Sequence, residues 1–156
     1  MNRNRTVCFT GHRNIKSATA IERQLVEIVK GLVTQGYTHF LAGGARGFDT
    51  LAAQTIVKQK AVYSQINLRL ALPFPSQYEK ENGWTEEDIE NYHAILSAAD
   101  DVMYIGQQYK RGLYYKRDRY LVDNAAVCVA YQRRKTGGTA YTVNYAKEQG
   151  VKLIML

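Results

Sequence analysis

The residues with the clearest chemical potential form a glycine-rich turn, Gly43-Gly44-Ala45-Arg46-Gly47-Phe48-Asp49, between an apolar run and a segment of helical character. Glycine lets a backbone approach an anion closely, and the helix that follows directs its free N–H groups and positive dipole end at that anion. Arg46 could add a charge-assisted hydrogen bond. The turn is therefore either a phosphate-binding loop or a tight turn whose glycines only let the helix pack on the sheet.

Three other loops of unusual composition also follow apolar runs. They are Gly11-His12-Arg13, Pro73-Phe74-Pro75 and a second glycine turn, Thr136-Gly137-Gly138-Thr139. Two helix N-termini approached by glycines, together with Arg13 and Arg46, suit a ligand that carries two phosphates, or one phosphate and a sugar.

Each remaining candidate residue has two interpretations. His12 could contact phosphate or act as an acid or base, or it could hydrogen-bond the loop backbone. Asp49 could accept hydrogen bonds from a ribose, or it could favour the helix dipole and order the glycine turn. Phe74 could cover a base or simply pack in its turn. Arg119 and Asp123, which precede an apolar run, could face the same cleft as the turns.

Hydrophobic patterning indicates the elements that must position these loops. Apolar runs predict strands over residues 6–10, 38–42, 67–72, 101–105, 125–131 and 151–156. Helical spacing predicts helices before Gly36, over residues 50–60, after Thr85, over residues 114–124 and over residues 139–149. Thr19 followed by Glu22 matches a capping box, and Thr85, with Asp88 at the third position after it, is predicted to open its helix.

Strands that alternate with helices, each strand a nearly continuous apolar run, predict a parallel sheet covered on both faces. With right-handed crossovers this is a single Rossmann-like, doubly wound α/β domain over residues 1–156. Ligands of such sheets bind outside the carboxyl ends of the strands, at the point where the strand order reverses. We therefore expect the four loops to meet at one edge of the sheet.

Composition narrows the class of protein. The chain has 156 residues, 46% of them hydrophobic, and a net charge of +7. No apolar run approaches the roughly 20 residues that span a bilayer, and the start of the chain lacks a signal-peptide pattern. We therefore expect a cytoplasmic protein without a membrane partner. The positive charge is compatible with nucleic acid or with a phosphorylated small ligand and does not separate them.

Cysteine and histidine residues do not suggest a metal site. Cys8 and Cys128 lie in apolar runs and are interpreted as buried thiols rather than a disulfide. His39 and His93 are predicted on apolar faces with structural roles. A segment that mixes tyrosines with basic residues, residues 109–120, is typical either of a nucleic-acid surface or of a lid that contacts a partner.

Taken in order, these motifs resemble the YpsA-like branch of the SLOG superfamily, which is named for DNA-processing and Lonely-guy proteins. The resemblance rests on Phe9-Thr10-Gly11-His12-Arg13, Gly43-x-x-x-Gly47-x-Asp49-x-x-Ala52-Ala53, Pro73-Phe74-Pro75, Arg117-x-Arg119-Tyr120-x-Val122-Asp123 and Gly137-Gly138-Thr139-Ala140-Tyr141-Thr142. It implies a Rossmann-like fold and a nucleotide-derived ligand such as NAD or ADP-ribose.

Two relatives in the superfamily imply different functions. Lonely-guy enzymes cleave the N-glycosidic bond of a nucleotide with a glutamate that follows a Pro-Gly-Gly-x-Gly-Thr turn. Here Gly137-Gly138-Thr139 matches that turn in part and the glutamate is missing, although Arg119 is similar to the family's arginine. Proteins of the DNA-processing branch bind single-stranded DNA and carry a stretch similar to Gly44-Ala45-Arg46-Gly47-Phe48-Asp49. Because the sequence is shorter than theirs, we expect it to lack their accessory domains.

The favoured hypothesis is a sensor, carrier or sequestering protein for a nucleotide-derived small molecule. An N-glycosidase, with Asp49 or Asp123 as its carboxylate and His12 or Arg119 to stabilise charge, is one alternative. A single-stranded DNA-binding protein is the other, and the sequence leaves homo-oligomerisation open. The predicted ligand-binding residues are Gly11, His12, Arg13, Gly43, Gly44, Arg46, Gly47, Asp49, Phe74, Arg119, Asp123, Gly137, Gly138 and Thr139.

Overall fold

A six-stranded sheet forms the centre of the computed structural model, which describes residues 2–156. Its strands are β1 (Thr6–Gly11), β2 (His39–Ala42), β3 (Asn67–Leu72), β4 (Asp101–Tyr104), β5 (Val127–Tyr131) and β6 (Lys152–Met155). The helices are α1 (Ala18–Thr34), α2 (Phe48–Lys60), α3 (Gln77–Lys80), α4 (Glu86–Ala98), α5 (Leu113–Asp123) and α6 (Gly138–Glu148), and a 3-10 turn covers Arg3–Arg5. No helix within residues 2–156 is long and apolar enough to cross a membrane.

Every pair of neighbouring strands is parallel, in the order β4-β3-β2-β1-β5-β6. The chain adds strands on one side of β1 up to β4 and then returns to place β5 on the other side. The order therefore reverses between β1 and β5, which opens a crevice at their carboxyl ends. This topology confirms the predicted Rossmann-like α/β fold.

Hydrophobic side chains pack on both faces of the sheet because alternate residues of a strand point to opposite sides. On one face Phe9 belongs to a cluster with α1, α2 and α4 residues such as Leu25 and Tyr92. On the other face Cys8 packs with residues of α5 and α6, such as Leu121. The helices therefore cover both faces, and the polar loops are left at the edges.

The two cysteines are free and buried on adjacent strands, where Cys8 is the register partner of Cys128. A hydrogen bond with the Cys128 thiol, reinforced by burial, raises the pKa of the Cys8 thiol well above its ordinary value. Both residues therefore behave as small hydrophobic groups, as expected. Within residues 2–156 no cluster of histidine, cysteine and acidic side chains could hold a metal ion.

The two predicted helix starts have different outcomes. Thr85 is the N-cap of α4, as predicted, and forms a capping box with Asp88 through reciprocal bonds of 2.9 and 3.1 Å. The predicted box at Thr19 is wrong because α1 begins at Ala18, after Ser17 in a left-handed conformation (φ 59°) without a side-chain cap.

The two histidines also differ from one another. His39 is half-buried and pairs with Asn67 Oδ1 at 2.9 Å, which agrees with its predicted structural role. His93 is exposed on α4, beside the buried face that runs through Tyr92 and Ile95. Its ring packs edge-on against the rings of Tyr78 and Tyr92, with centroids 5.5 and 5.6 Å away, which agrees with its predicted structural role.

Candidate functional site

A cleft of about 530 Å³ lies at the carboxyl ends of β1, β2 and β5, where the strand order reverses. We call it the cleft. Its walls are residues 10–14 after β1, Ala45, Arg46 and Asp49 after β2, Tyr114, Tyr115, Arg117 and Asp118 of α5, and Arg134, Gly138 and Thr139 after β5. The structure therefore brings both glycine turns and the Gly11-His12-Arg13 loop to one site, as the sequence predicts.

The first glycine turn is held by its own polar groups. The Asp49 carboxylate accepts the Ala45 N–H at 3.2 Å, and the Thr50 hydroxyl donates to the Ala45 carbonyl at 2.9 Å. The first N–H of α2, from Phe48, donates to the His12 carbonyl at 3.1 Å. Asp49 therefore orders the turn, which was one of its two predicted roles.

Arg117 supports this turn from behind and was not predicted as a site residue. Its side chain is buried and donates from Nη1 to the Gly43 carbonyl, while its Nε donates to Asp118 Oδ1 at 2.8 Å. Burial opposes its charge, but Asp118 and Asp49 hold the pKa of the guanidinium above its ordinary value. The helical spacing of Leu113, Arg117 and Leu121, all buried on one face of α5, is the sequence signal for this residue.

The Asp49 carboxyl is unusual because it is buried within a polar cleft. Burial raises its pKa to about 7, although the neighbouring Arg117 acts in the opposite direction. Near neutral pH this group is therefore present in both its protonated and its ionised form. Two carboxylates, Asp49 and Asp123, were predicted as candidates for glycosidic hydrolysis. Asp49 lines the cleft, and Asp123 does not.

The arginines of the cleft have incomplete sets of partners. Arg13 forms an ion pair with Glu81, whose side chain is only 10% exposed. The Nη1 of Arg46 reaches Asn14 Oδ1 at 3.4 Å, and its buried Nε has no hydrogen-bond partner among residues 2–156. Glu81 was not predicted, since its partner Arg13 lies far away in the sequence.

The second glycine turn leaves the start of α6 open. Gly137 has a positive φ of 96°, and the helix begins at Gly138 with no side-chain cap from residues 2–156 and no acidic residue in its first turn. Gly138 and Thr139 line the cleft. The free N–H groups and the positive dipole end of α6 are therefore available to an anion there.

His12 organises the loops around the cleft. The residue is 7% exposed, and Nε2 of its ring accepts the Arg133 N–H at 2.7 Å. Burial, together with the charges of Arg134 and Arg133, lowers the pKa of the imidazole below its ordinary value. The ring is therefore neutral at neutral pH, and its bond to the loop after β5 is one of its two predicted roles.

Seven of the fourteen predicted residues line the cleft, and seven do not: Gly43, Gly44, Gly47 and Gly137 of the two turns, and Phe74, Arg119 and Asp123. Arg119 donates to the Tyr141 hydroxyl at 2.7 Å, and Asp123 accepts the Tyr145 hydroxyl at 2.8 Å, so both pair with α6 instead. The expectation that they face the cleft is corrected, and Arg117 and Asp118 take that place. Phe74 is buried against Tyr109 and Tyr114, so it packs in its turn.

Comparison with known families decides the assignment of the chain. The YpsA family model, described as the YspA SLOG family, matches residues 7–153. The chain belongs to this family. The resemblance seen in the sequence motifs is thereby confirmed.

Relatives of this SLOG protein include UPF0398 proteins of bacilli. It is 30% identical to the one from Halalkalibacterium halodurans over 139 residues, which is 87% of this chain and 72% of the relative. It is 28% identical to the one from Bacillus thuringiensis (strain Al Hakam) over 133 residues, which is 83% of this chain and 71% of the relative.

Two solved structures share its fold. DNA processing protein A from Helicobacter pylori, which binds single-stranded DNA, superposes with a TM-score of 0.68 at 14% identity. The protein of that name from Streptococcus pneumoniae gives 0.67 at 15% identity. The superpositions cover 99% and 97% of this chain but 65% and 50% of those chains. At this identity the likeness concerns the fold.

Proposed function

We propose that the cleft binds the phosphate groups of a nucleotide-derived small molecule, such as ADP-ribose or NAD. The observation that carries the proposal is the uncapped N-terminus of α6, which opens onto a cleft that Arg13, Arg46 and Arg134 also line. A free helix N-terminus and three guanidinium groups around one cavity favour an anion. The protein would act as a sensor, carrier or sequestering protein.

Other groups of the cleft suit the rest of such a ligand. Asp49, whose pKa is about 7, is able to donate a hydrogen bond to a ribose hydroxyl or to accept one. Tyr115 lines the cleft and is exposed, so its ring offers a surface on which a base could stack. In this proposal Tyr115 takes the role of covering a base, which was predicted for Phe74.

A thermal-shift assay with AMP, ADP-ribose, NAD and inorganic pyrophosphate tests the proposal. We expect at least one of these to raise the melting temperature, and Arg46→Ala to remove the shift because the variant loses a guanidinium of the cleft. Arg5→Ala is the matched control: this exposed arginine precedes β1, at the opposite edge of the sheet. The absence of a shift across a broad nucleotide panel would contradict the proposal.

Single-stranded DNA is the second candidate ligand. It is favoured by the fold shared with DNA processing protein A and by the exposed residues Arg133, Arg134 and Lys135 beside the cleft. Fluorescence anisotropy with a labelled oligothymidylate should then show an affinity that falls steeply with salt, because bound phosphates release counterions. Binding that is absent, or that is independent of salt, would exclude this candidate.

A further inference from the structure

A second cavity, of about 710 Å³, lies between the start of α1 and the loop after β5. His12, Asn14 and Arg134 line both this cavity and the cleft. The two spaces therefore adjoin, and these three side chains lie where they meet. Nothing in the proposed function makes use of the second cavity.

The hydrogen bonds of His12 fix the position of its proton. Nε2 accepts the backbone N–H of Arg133 at 2.7 Å, and a nitrogen that accepts a hydrogen bond carries no proton itself. The neutral imidazole therefore carries its proton on Nδ1. This assignment rests on the contact and would hold at any pH at which the ring is neutral.

The Nδ1–H of His12 has no acceptor among residues 2–156. Nδ1 lies 3.5 Å from Nη2 of Arg134, and a guanidinium can only donate. A donor of the buried His12 and a donor of the exposed Arg134 thus lie side by side. A buried donor without a partner is costly, so this arrangement calls for an acceptor that both groups can share. A phosphate oxygen is such an acceptor.

The second cavity itself suits a nucleoside. Ala20 and Ile21 provide apolar wall, and the Arg133 guanidinium, which covers the Tyr131 ring at 4.3 Å from its centre, adds a flat surface on which a base can stack. The N-terminus of α1 opens at Ser17 without a side-chain cap, and Lys16 adds a positive charge. A flat base against the apolar wall, with a polar sugar towards the helix N-terminus, matches this lining.

We propose that the second cavity is a nucleoside subsite and that the protein takes a dinucleotide. One nucleoside would occupy the cleft and the other the second cavity, and a bridging phosphate oxygen would accept from His12 Nδ1–H and Arg134. The inference rests on the proposed function, since the first nucleotide is the one assigned to the cleft. It gives His12 a role in positioning the ligand's bridge in addition to its bond with Arg133.

Isothermal titration calorimetry with three adenine ligands tests the inference. AMP is the single nucleotide, 5′-phosphorylated adenylyl-(3′→5′)-adenosine has a phosphodiester bridge, and P1,P2-diadenosine diphosphate has a pyrophosphate bridge. We expect at least one bridged ligand to bind about tenfold more tightly than AMP, the gain from an added charge-assisted hydrogen bond. The bridged ligand that binds better identifies the bridge.

Ala20→Glu blocks the second cavity and should abolish that advantage without changing the affinity for AMP. Ala20 is exposed in the first turn of α1 and lines only the second of the two cavities, and a glutamate near a helix N-terminus is compatible with folding. Thr19→Glu is the matched control, because it adds the same charge at an exposed neighbour outside the lining. It should leave all three affinities unchanged.

Two substitutions of His12 separate its functions. His12→Gln can still accept the Arg133 N–H but lacks the Nδ1–H, so it should bind the bridged ligand no better than AMP. His12→Asn presents an amide N–H near the Nδ1 position and should retain the advantage of the bridged ligand, with a lower melting temperature. Equal affinities of wild-type protein for AMP and both bridged ligands, or an advantage that survives Ala20→Glu, would overturn the inference and leave the proposed function intact. Failure of all three ligands to bind would overturn both.

Discussion

The turn that starts α2 and the turn that starts α6 both place glycines directly before a helix, but their surroundings differ. A Cβ added to Gly47 would lie 2.1 Å from the carbonyl oxygen of Arg13, and one added to Gly44 would lie 2.1 Å from Leu72 Cδ2. A Cβ added to Gly138 would have no neighbour within 4 Å. The first turn is therefore closed by the protein itself, and the second is open.

This difference shows that a glycine motif alone does not tell whether the backbone of the turn is free to bind a ligand. The polar groups of the first turn are already hydrogen-bonded within the protein. Asp49 and Thr50 bond to Ala45, and the buried guanidinium of Arg117 donates to the Gly43 carbonyl. The first turn's contribution to a ligand would come from Arg46, whose Nε has no partner among residues 2–156. The start of α6 has no cap from these residues and is free for an anion. The first turn would thus hold the ligand through the Arg46 side chain, and the second turn would hold it through backbone N–H groups.

The largest expected loss of stability distinguishes Gly47→Ala from Gly138→Ala. Gly47 has a positive φ of 82° and no room for a methyl group, so we expect a loss of about 3 kcal/mol in the free energy of unfolding. Gly138 is helical and open, so alanine there should change that free energy by no more than about 1 kcal/mol. Urea denaturation measures both values. Similar losses in the two variants would contradict the distinction between a closed and an open turn.

Asp49→Asn should change how stability depends on pH. The folded-state pKa of Asp49 is about 7, against an ordinary value of 3.8, so between these pH values the folded chain holds a proton that the unfolded chain has lost. By linkage, this group makes the wild-type protein less stable as pH rises through that window. The asparagine variant lacks this pH-dependent change in the free energy of unfolding, which amounts to at most about 4 kcal/mol over the whole window.

The measurement is urea denaturation of both proteins at several pH values from 4 to 8, in which the difference between them isolates Asp49 from the other titrating groups. We expect the free energy of unfolding of the variant, relative to that of the wild type, to rise up to about pH 7 and to stay constant above it. A constant difference over this range would mean that the carboxyl titrates normally.

Much of the architecture could be predicted because it depends on local patterns. β3 has its predicted bounds, and the helix start at Thr85 lies where the sequence places it. The edge of the sheet that gathers Arg13, Arg46 and Thr139 follows from the alternation of strands and helices. These features need only hydrophobic runs, cap residues and the handedness of crossovers.

The side-chain partners could not be predicted in the same way. Arg117 and Arg119 are two residues apart on one helix and therefore point to nearly opposite sides. Arg119 was predicted to face the cleft, but Arg117 shares the buried face of α5 with Leu113 and Leu121. The partner of Arg13 is Glu81, and their pairing depends on how the chain between α3 and α4 folds back towards the loop after β1. Contacts between residues distant in sequence leave no local pattern.

Glu81→Gln is expected to have the smallest effect, and it acts on the ligand rather than on the fold. The Glu81 carboxylate neutralises Arg13, one of the arginines of the cleft, and an anionic ligand must compete for that guanidinium. The Arg13 side chain is 46% exposed, so its ion pair is partly screened by solvent. We therefore expect nucleotide affinity to increase by no more than about fivefold.

Calorimetry with the ligand found by thermal shift measures this increase, and Glu79→Gln is the control. Glu79 lies in α3 close to Glu81 in sequence and is exposed, so its neutral variant makes the same change in net charge without releasing Arg13. An equal gain in both variants would attribute the effect to overall charge. A gain confined to Glu81→Gln would show that the protein's own carboxylate competes with the ligand, because only that substitution frees Arg13, whose carbonyl packs against Gly47 of the closed turn.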